Sequence, residues 1–191
     1  MAFVHYPRTF QGFLNWKPET RHKYEWNKGK IEKTEHFKQS EFFIIQNLKR
    51  LFFITIASQS GGELMSVVDI MTSSRQLRRP DFSYFTREQI IEMAKSINQA
   101  GGVPLITFVI EIISPSDNQN KILEKNQEYF SAGVQVIWLI MPNLKRAAFR
   151  QVHIFTSPKN VQICTDDDIC SAKPVLDDFE ISVNDLLTLL S

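Results

Sequence analysis

Residues 105–133 read LITFVIEIISPSDNQNKILEKNQEYFSAG, and the two halves of this stretch demand different structures. The first half, Leu105 to Ile113, is mostly apolar. That is the pattern of a strand covered on both faces, as at the centre of an α/β sheet. Serine, proline, serine and aspartate end it, and a Lys- and Glu-rich helical segment follows from about Gln119, closed by Ala132-Gly133. One carboxylate, Glu111, interrupts the apolar strand. A buried, unpaired carboxylate either protonates or carries a heavy desolvation cost, so Glu111 asks for a cation. An ordinary salt bridge to Lys or Arg would already satisfy it.

Upstream, SSRQLRRPDFSYF reads as a basic loop in which Arg75, Arg78 and Arg79 lead into Pro80-Asp81 and then the strand-like FSYF. Proline suits the first residue of a strand, where its missing N–H matters least. Thr86 to Gln89 is a capping-box pattern, predicting a helix over about Arg87–Asn98, and Gly101-Gly102 returns the chain to the central strand. Further back, Glu63–Ile70 reads as a strand after the Gly61-Gly62 break. Residues 35–57 read as one helix with an apolar stripe at Phe37, Ile44, Leu48 and Leu51. Tyr24–Thr34 predicts a hairpin turning at Asn27-Lys28-Gly29-Lys30. Residues 1–23 read as an extension packed on the domain.

Downstream, Gln135–Ile140 is a second buried strand. Ala147–Phe155 and Val161–Thr165 read as antiparallel edge strands, and a cap at Ser182–Asp185 opens a short terminal helix. No repeat or low-complexity linker divides the chain. At 191 residues, 43% hydrophobic and 23% charged, the composition fits one soluble α/β domain with a mixed sheet, residues 1–191.

Net charge is +1, which argues against coating nucleic acid by bulk charge, but the charge is uneven. Residues 1–30 carry six Lys/Arg against two Glu, a local +4; residues 161–191 carry seven Asp/Glu against one Lys, a local −6. That permits a basic substrate face. The two cysteines, Cys164 and Cys170, lack the partners of a structural zinc site. No signal-peptide pattern opens the chain, and no apolar run approaches the ~20 residues of a membrane span. A reduced, cytoplasmic setting without membrane contact is expected.

Three features converge on chemistry. Asp81 starts one strand, Glu111 lies near the end of another, and Lys121 and Lys125, four apart, share a face of the helix that follows. Two carboxylates from neighbouring strands can hold Mg²⁺, which prefers one or two protein carboxylates plus water and phosphate oxygens. A lysine beside that ion can position water or neutralise phosphate charge, as phosphodiester hydrolysis requires. Each residue also has a plainer reading. Asp81 can cap local amides, Lys125 can be a solvated helix lysine paired with Glu128, and the three arginines can form a solvated loop. His36 and His153 can simply be packed among aromatics. Ser114 lacks a G-x-S-x-G elbow, and Ser-Pro-Ser-Asp before a helix reads as capping. Asp166-Asp167-Asp168 lacks the spacing of an EF-hand and reads as a solvated turn.

The YEWNKGKIE hairpin, RRPDFSYF, FVIEIISPSDNQNKILEKNQEYFSAGVQVIWLIMP, VHIF and LDDFEISVNDLL resemble, in order, the Uma-type restriction-endonuclease-like family, a group within the PD-(D/E)XK nuclease superfamily. The resemblance spans roughly Tyr24–Leu190. It implies a restriction-endonuclease-like fold: a central mixed sheet flanked by helices. It further implies Asp81 and Glu111 as ligands of Mg²⁺ (or Mn²⁺) and a DNA-cleaving activity. The superfamily lysine two residues after the strand Glu is replaced here by Ile113, and Lys125 matches the helix lysine of the Uma-type group. Lys121 stands where that group more often has an acid. A further carboxylate is implied from the early helix or hairpin, with Glu32 first and Glu25 and Glu35 behind it. Lys121, Arg78 and Arg79 are candidates for substrate phosphates, which arginine grips well. Duplex cleavage calls for two active sites, so a homodimer is compatible. The alternative is an inactive nuclease-fold protein serving as a nucleic-acid-binding or assembly module.

Overall fold

The architecture is known from a computed structural model, which describes residues 6–18, 22–34, 42–95, 106–114, 117–142 and 150–188. Glu35, His36, Gly101-Gly102 and the first residues of the expected strand at Ala147 lie outside the described residues.

In chain order, α1 (Phe10–Leu14) precedes a hairpin of β1 (Lys23–Asn27) and β2 (Lys30–Thr34), then α2 (Phe42–Phe53) and α3 (Ile56–Gln59). Strands β3 (Glu63–Ser66), β4 (Ile70–Ser73), β5 (Gln76–Arg78) and β6 (Phe82–Phe85) lead to α4 (Arg87–Lys95). The central unit is β7 (Phe108–Ile112), α5 (Gln119–Ser131) and β8 (Val136–Met141). The chain ends in β9 (Gln151–Ser157), β10 (Asn160–Cys164), β11 (Ile169–Ala172), β12 (Leu176–Ser182) and α6 (Val183–Leu186).

The main sheet has six strands in the order β10-β9-β8-β7-β6-β3. Only β7 and β8 run parallel, and α5 supplies the crossover that a parallel pair needs. Phe108, Ile110, Val136, Trp138 and Ile140 point to one face, where α2, α6 and β12 cover them. Val109, Ile137, Leu139 and Phe85 point to the other, under Tyr129 of α5. This period-two split of a continuous apolar run is what burial on both faces requires. Phe108, Trp138 and Phe179 interlock with ring centroids 5.3–5.7 Å apart.

A second, four-stranded sheet has the order β2-β1-β5-β4. Its hairpin turns through Lys28 and Gly29, with φ of 47° and 81°. Two left-handed residues in succession are what a tight two-residue hairpin needs. Tyr24, Trp26 and Leu77 on one face of this sheet pack with Phe13 of α1.

Three expectations need correction. The long helix over 35–57 breaks within its β-branched end. Thr55 turns extended (φ −78°, ψ 154°) and accepts from the Ser58 N–H, opening α3 as a separate turn. The single strand over 63–70 is two strands: β3 pairs with β6 in the large sheet and β4 with β5 in the small one. The switch passes through Val67, held at φ 57°. The supposed basic loop is the β4–β5 hairpin, so Arg78 lies in a strand. In addition β9 is no edge strand, being flanked by β8 and β10.

Candidate active site

The register of β6 on β7 pairs Phe82 with Ile110 and Ser83 with Val109. Continued by one residue, it sets Asp81 opposite Glu111. Alternation agrees, because Phe85 and Val109 belong to the α5-side core, and Asp81 and Glu111 lie an even number of residues from them. Both carboxylates therefore face α5. Asp81 sits just before β6, and its Oδ2 accepts the Ile112 N–H at 2.7 Å, where a ladder carbonyl would otherwise act. Both acids are 7% exposed.

Helix α5 is aimed by its ends. Asn118 caps its first turn by accepting from the Asn120 and Lys121 amides, and Gly133 follows at φ 100°. Ser114 donates its N–H to Asp117 Oδ2 at 2.7 Å, in keeping with a turn role. Lys121, Lys125, Glu128 and Tyr129 thus form one stripe over the sheet. Lys125 Nζ lies 2.8 Å from Glu111 Oε1 and 2.9 Å from Glu25 Oε1. The buried Tyr129 hydroxyl donates to the same Glu111 oxygen at 2.6 Å, and Lys125 also stands 5.8 Å from the Tyr129 ring centroid.

The charged face of the small sheet closes the site. Lys23 and Glu25 alternate with core-facing Tyr24 and Trp26, so both turn toward α5. Lys23 Nζ meets Asp81 Oδ1 at 2.7 Å. Glu25 and Glu32 are directly opposite in the β1–β2 register, an arrangement of like charges that is unfavourable alone. Arg78 resolves it. Its guanidinium donates to Glu25 at 3.1 Å, Glu32 at 3.0 Å and Glu128 at 2.7 Å, and it is only 2% exposed. The Arg79 amide adds a bond to Glu25 Oε1 at 2.9 Å, while the Arg79 side chain pairs with Asp69. Lys121, with a side chain 67% exposed, reaches Glu32 at 3.0 Å from the rim.

Burial alone would push Glu25, Glu32 and Glu111 upward. For Glu25, Lys125 and Arg78 overcome that and hold its carboxyl down at about 2. Glu111 goes the other way. Burial, reinforced by the nearby Asp81 charge, raises it despite Lys125. Burial opposes the charge of Lys125, but Glu111 and Glu25 outweigh it and raise the lysine, so the ammonium is kept. Lys125 is shared between two acids, and the one that also has Arg78 is the one that ionises readily.

Among the described residues, no group of three or more His, Cys, Asp and Glu side chains is placed to hold a metal. Asp81 and Glu111 nonetheless offer hard oxygen donors side by side, and Mg²⁺ asks for no more than one or two protein carboxylates. Lys125 and Tyr129 both address Glu111 Oε1, leaving Oε2 as that residue's donor. In donor kind and number the pair fits Mg²⁺ or Mn²⁺.

Of the residues singled out from sequence, Asp81, Glu111, Lys125, Glu32, Lys121 and Arg78 fall into one connected network with Glu25. Arg75 lies in the β4–β5 turn, and His153 on β9 pairs with Gln151. Lys23, Glu128 and Tyr129 join the network unforeseen as site residues. Alternation with Glu25 was the available signal for Lys23, and helical spacing from Lys121 and Lys125 for the other two.

The fold is restriction-endonuclease-like, a central mixed sheet flanked by helices. Over 95% of this chain and 98% of the other, it superposes with a TM-score of 0.76 and 20% identity on a crystal structure described as a putative nuclease of DUF820 from Anabaena variabilis. The Uma2 family model, described as "Putative restriction endonuclease", matches residues 10–184, and the chain belongs to that family. No curated protein matches it.

Proposed function

We propose that the protein is an endonuclease that hydrolyses DNA phosphodiester bonds with Mg²⁺ or Mn²⁺ held by Asp81 and Glu111. The observation that carries this reading is the pair of carboxylates set opposite each other across β6 and β7, with the Lys125 ammonium 2.8 Å from Glu111. A bound divalent cation would supply Lewis acidity at a phosphoryl oxygen and an activated water.

The chain's own groups do the rest. Lys125 keeps its proton because two carboxylates hold it, so it serves as a fixed charge that orients water or meets developing negative charge, not as a base. Tyr129 and Ile112 N–H fix the rotamers of Glu111 and Asp81. Arg78 anchors Glu25 and Glu32 beneath the site and acts as a positioning residue. Exposed Lys121 and the partly exposed Arg79 are the candidate phosphate contacts. Cytoplasmic action and pairing into a homodimer for duplex cleavage complete the proposal. Both cysteines are free thiols, and among the described residues no helix is long and apolar enough to cross a membrane.

A second reading, a nuclease fold kept as a nucleic-acid-binding or assembly module, draws on the internal pairing of Asp81 with Lys23. Plasmid cleavage with Mg²⁺ or Mn²⁺ separates the two. Wild-type protein should convert supercoiled DNA, and Asp81→Asn and Glu111→Gln should not. Equal cleavage by both variants, or none by folded wild type in either metal, would overturn the nuclease proposal.

A further inference from the structure

The site is nearly neutral as it stands. Five carboxylates (Glu25, Glu32, Asp81, Glu111, Glu128) face four cations (Lys23, Arg78, Lys121, Lys125). Among these four cations, the one with no role in the scheme above is Lys23. Its side chain is 4% exposed, and its ammonium lies 2.7 Å from Asp81 Oδ1. Asp81's other oxygen already accepts the Ile112 N–H. Burying an ammonium this deeply is unfavourable without a carboxylate partner, because lysine is strongly hydrated. Asp81 supplies that carboxylate.

We propose that Lys23 is an internal counter-cation that competes with the divalent ion for Asp81, so that metal enters as the ammonium leaves Oδ1. This rests on reading Asp81 and Glu111 as a metal pair. An ammonium at 2.7 Å and a cation bonded at about 2.1 Å claim the same lone pairs of one oxygen. Like charges at that spacing repel in a water-poor setting. The Lys23 ammonium is carried on a flexible four-carbon stem rooted at the first residue of β1. The Lys23 ammonium thus occupies the Asp81 oxygen that the ion would use, and affinity for metal is lower by the cost of displacing it.

The test is a Mn²⁺ binding isotherm, by calorimetry or by the electron paramagnetic resonance of free Mn²⁺, on wild type, Lys23→Gln, Lys23→Met and Asp81→Asn. Lys23→Gln keeps an amide donor for Asp81 and carries the comparison if Lys23→Met does not fold. Both Lys23 variants should bind Mn²⁺ about tenfold more tightly than wild type, and Asp81→Asn should lose binding. In wild type, saturating Mn²⁺ should raise labelling of Lys23 by an amine-acylating reagent, read by peptide mass spectrometry. Equal or weaker binding by the Lys23 variants, or unchanged labelling, would overturn the Lys23 proposal. If wild-type binding still depended on Asp81, the metal pair would stand. Absence of Mn²⁺ binding in wild type and Lys23 variants alike would overturn both.

Discussion

Replacing Arg78 by leucine should destabilise the protein severely without touching the two carboxylates that face each other across β6 and β7. Arg78 is 2% exposed and is the common donor to Glu25, Glu32 and Glu128. These three would not suffer equally. Glu32 and Glu128 have side chains 25% and 16% exposed, so water relieves part of their loss, and Glu32 keeps Lys121. Glu25, with a side chain 2% exposed, keeps Lys125 and the Arg79 amide among the described residues. Breaking a buried pair by removing one partner costs about 3–5 kcal/mol. With Glu25 partly compensated, the lower end, about 3 kcal/mol, applies. At roughly 2–4 °C per kcal/mol for a chain of this size, Tm should fall by about 6–12 °C. Urea denaturation followed by circular dichroism should show a lower midpoint at unchanged slope. Adding Glu25→Gln should restore part of the loss, because the double variant no longer buries a poorly paired charge. A loss below about 0.5 kcal/mol, the usual range of a surface substitution, would refute the reasoning and return Arg78 to the solvent-facing role its sequence setting suggests.

Acid should unfold the protein through Glu25. Its carboxyl is held at about 2 against an ordinary 4.5, so ionised Glu25 contributes stability that is present above about pH 4.5 and lost as pH falls toward 2. That loss is on the order of 3 kcal/mol and should be largely absent in Glu25→Gln when stability is followed by urea titration from pH 5 to pH 2. Glu111 cannot mimic it, because its raised carboxyl costs stability on the alkaline side of the ordinary value and nothing on the acid side. Asn47→Ala should cost about 2 kcal/mol in the same assay. The Asn47 amide donates to the carbonyls of Asp185, Leu186 and Thr188 at 2.9–3.1 Å, closing the end of α6, and an effect below about 0.5 kcal/mol would contradict that role. Lys125→Met should reduce cleavage by about 10²–10³-fold, and Lys125→Arg should rescue it poorly because a planar fork replaces a point charge between two carboxylates. Wild-type rates in either variant would remove Lys125 from the chemistry.

The sequence carried its clearest signals where structure is local or periodic. The apolar run around β7 forms the buried strand, and Asn118 and Gly133 bracket α5 within a residue of the expected ends. The Thr86–Gln89 capping box forms as written, with the Thr86 N–H donating to Gln89 Oε1 at 2.8 Å. Ser182 likewise opens the last helix. Asp81, Glu111 and Lys125 were legible as candidates because strand alternation and helix spacing fix where each must point. The partners that bind them were not. Lys23 and Asp81 are 58 residues apart, and no period connects them. Arg78 was legible as a candidate phosphate contact, but its buried place among three carboxylates was hidden for a different reason. SSRQLRRP has one apolar residue, Leu77, so the short β5 carries almost no alternation and reads as solvated loop. The break at Val67 was equally silent, since valine favours strands and its left-handed φ of 57° is dictated by the transfer of the chain from one sheet to the other.

The central claim is that Asp81 and Glu111 together hold a divalent cation. A crystal soaked in Mn²⁺ and measured at the manganese absorption edge tests this most directly. One anomalous peak is expected, with an oxygen from each carboxylate about 2.0–2.3 Å away, lost in crystals of Asp81→Asn. A peak elsewhere, or none between the two carboxylates at saturating metal, would contradict it.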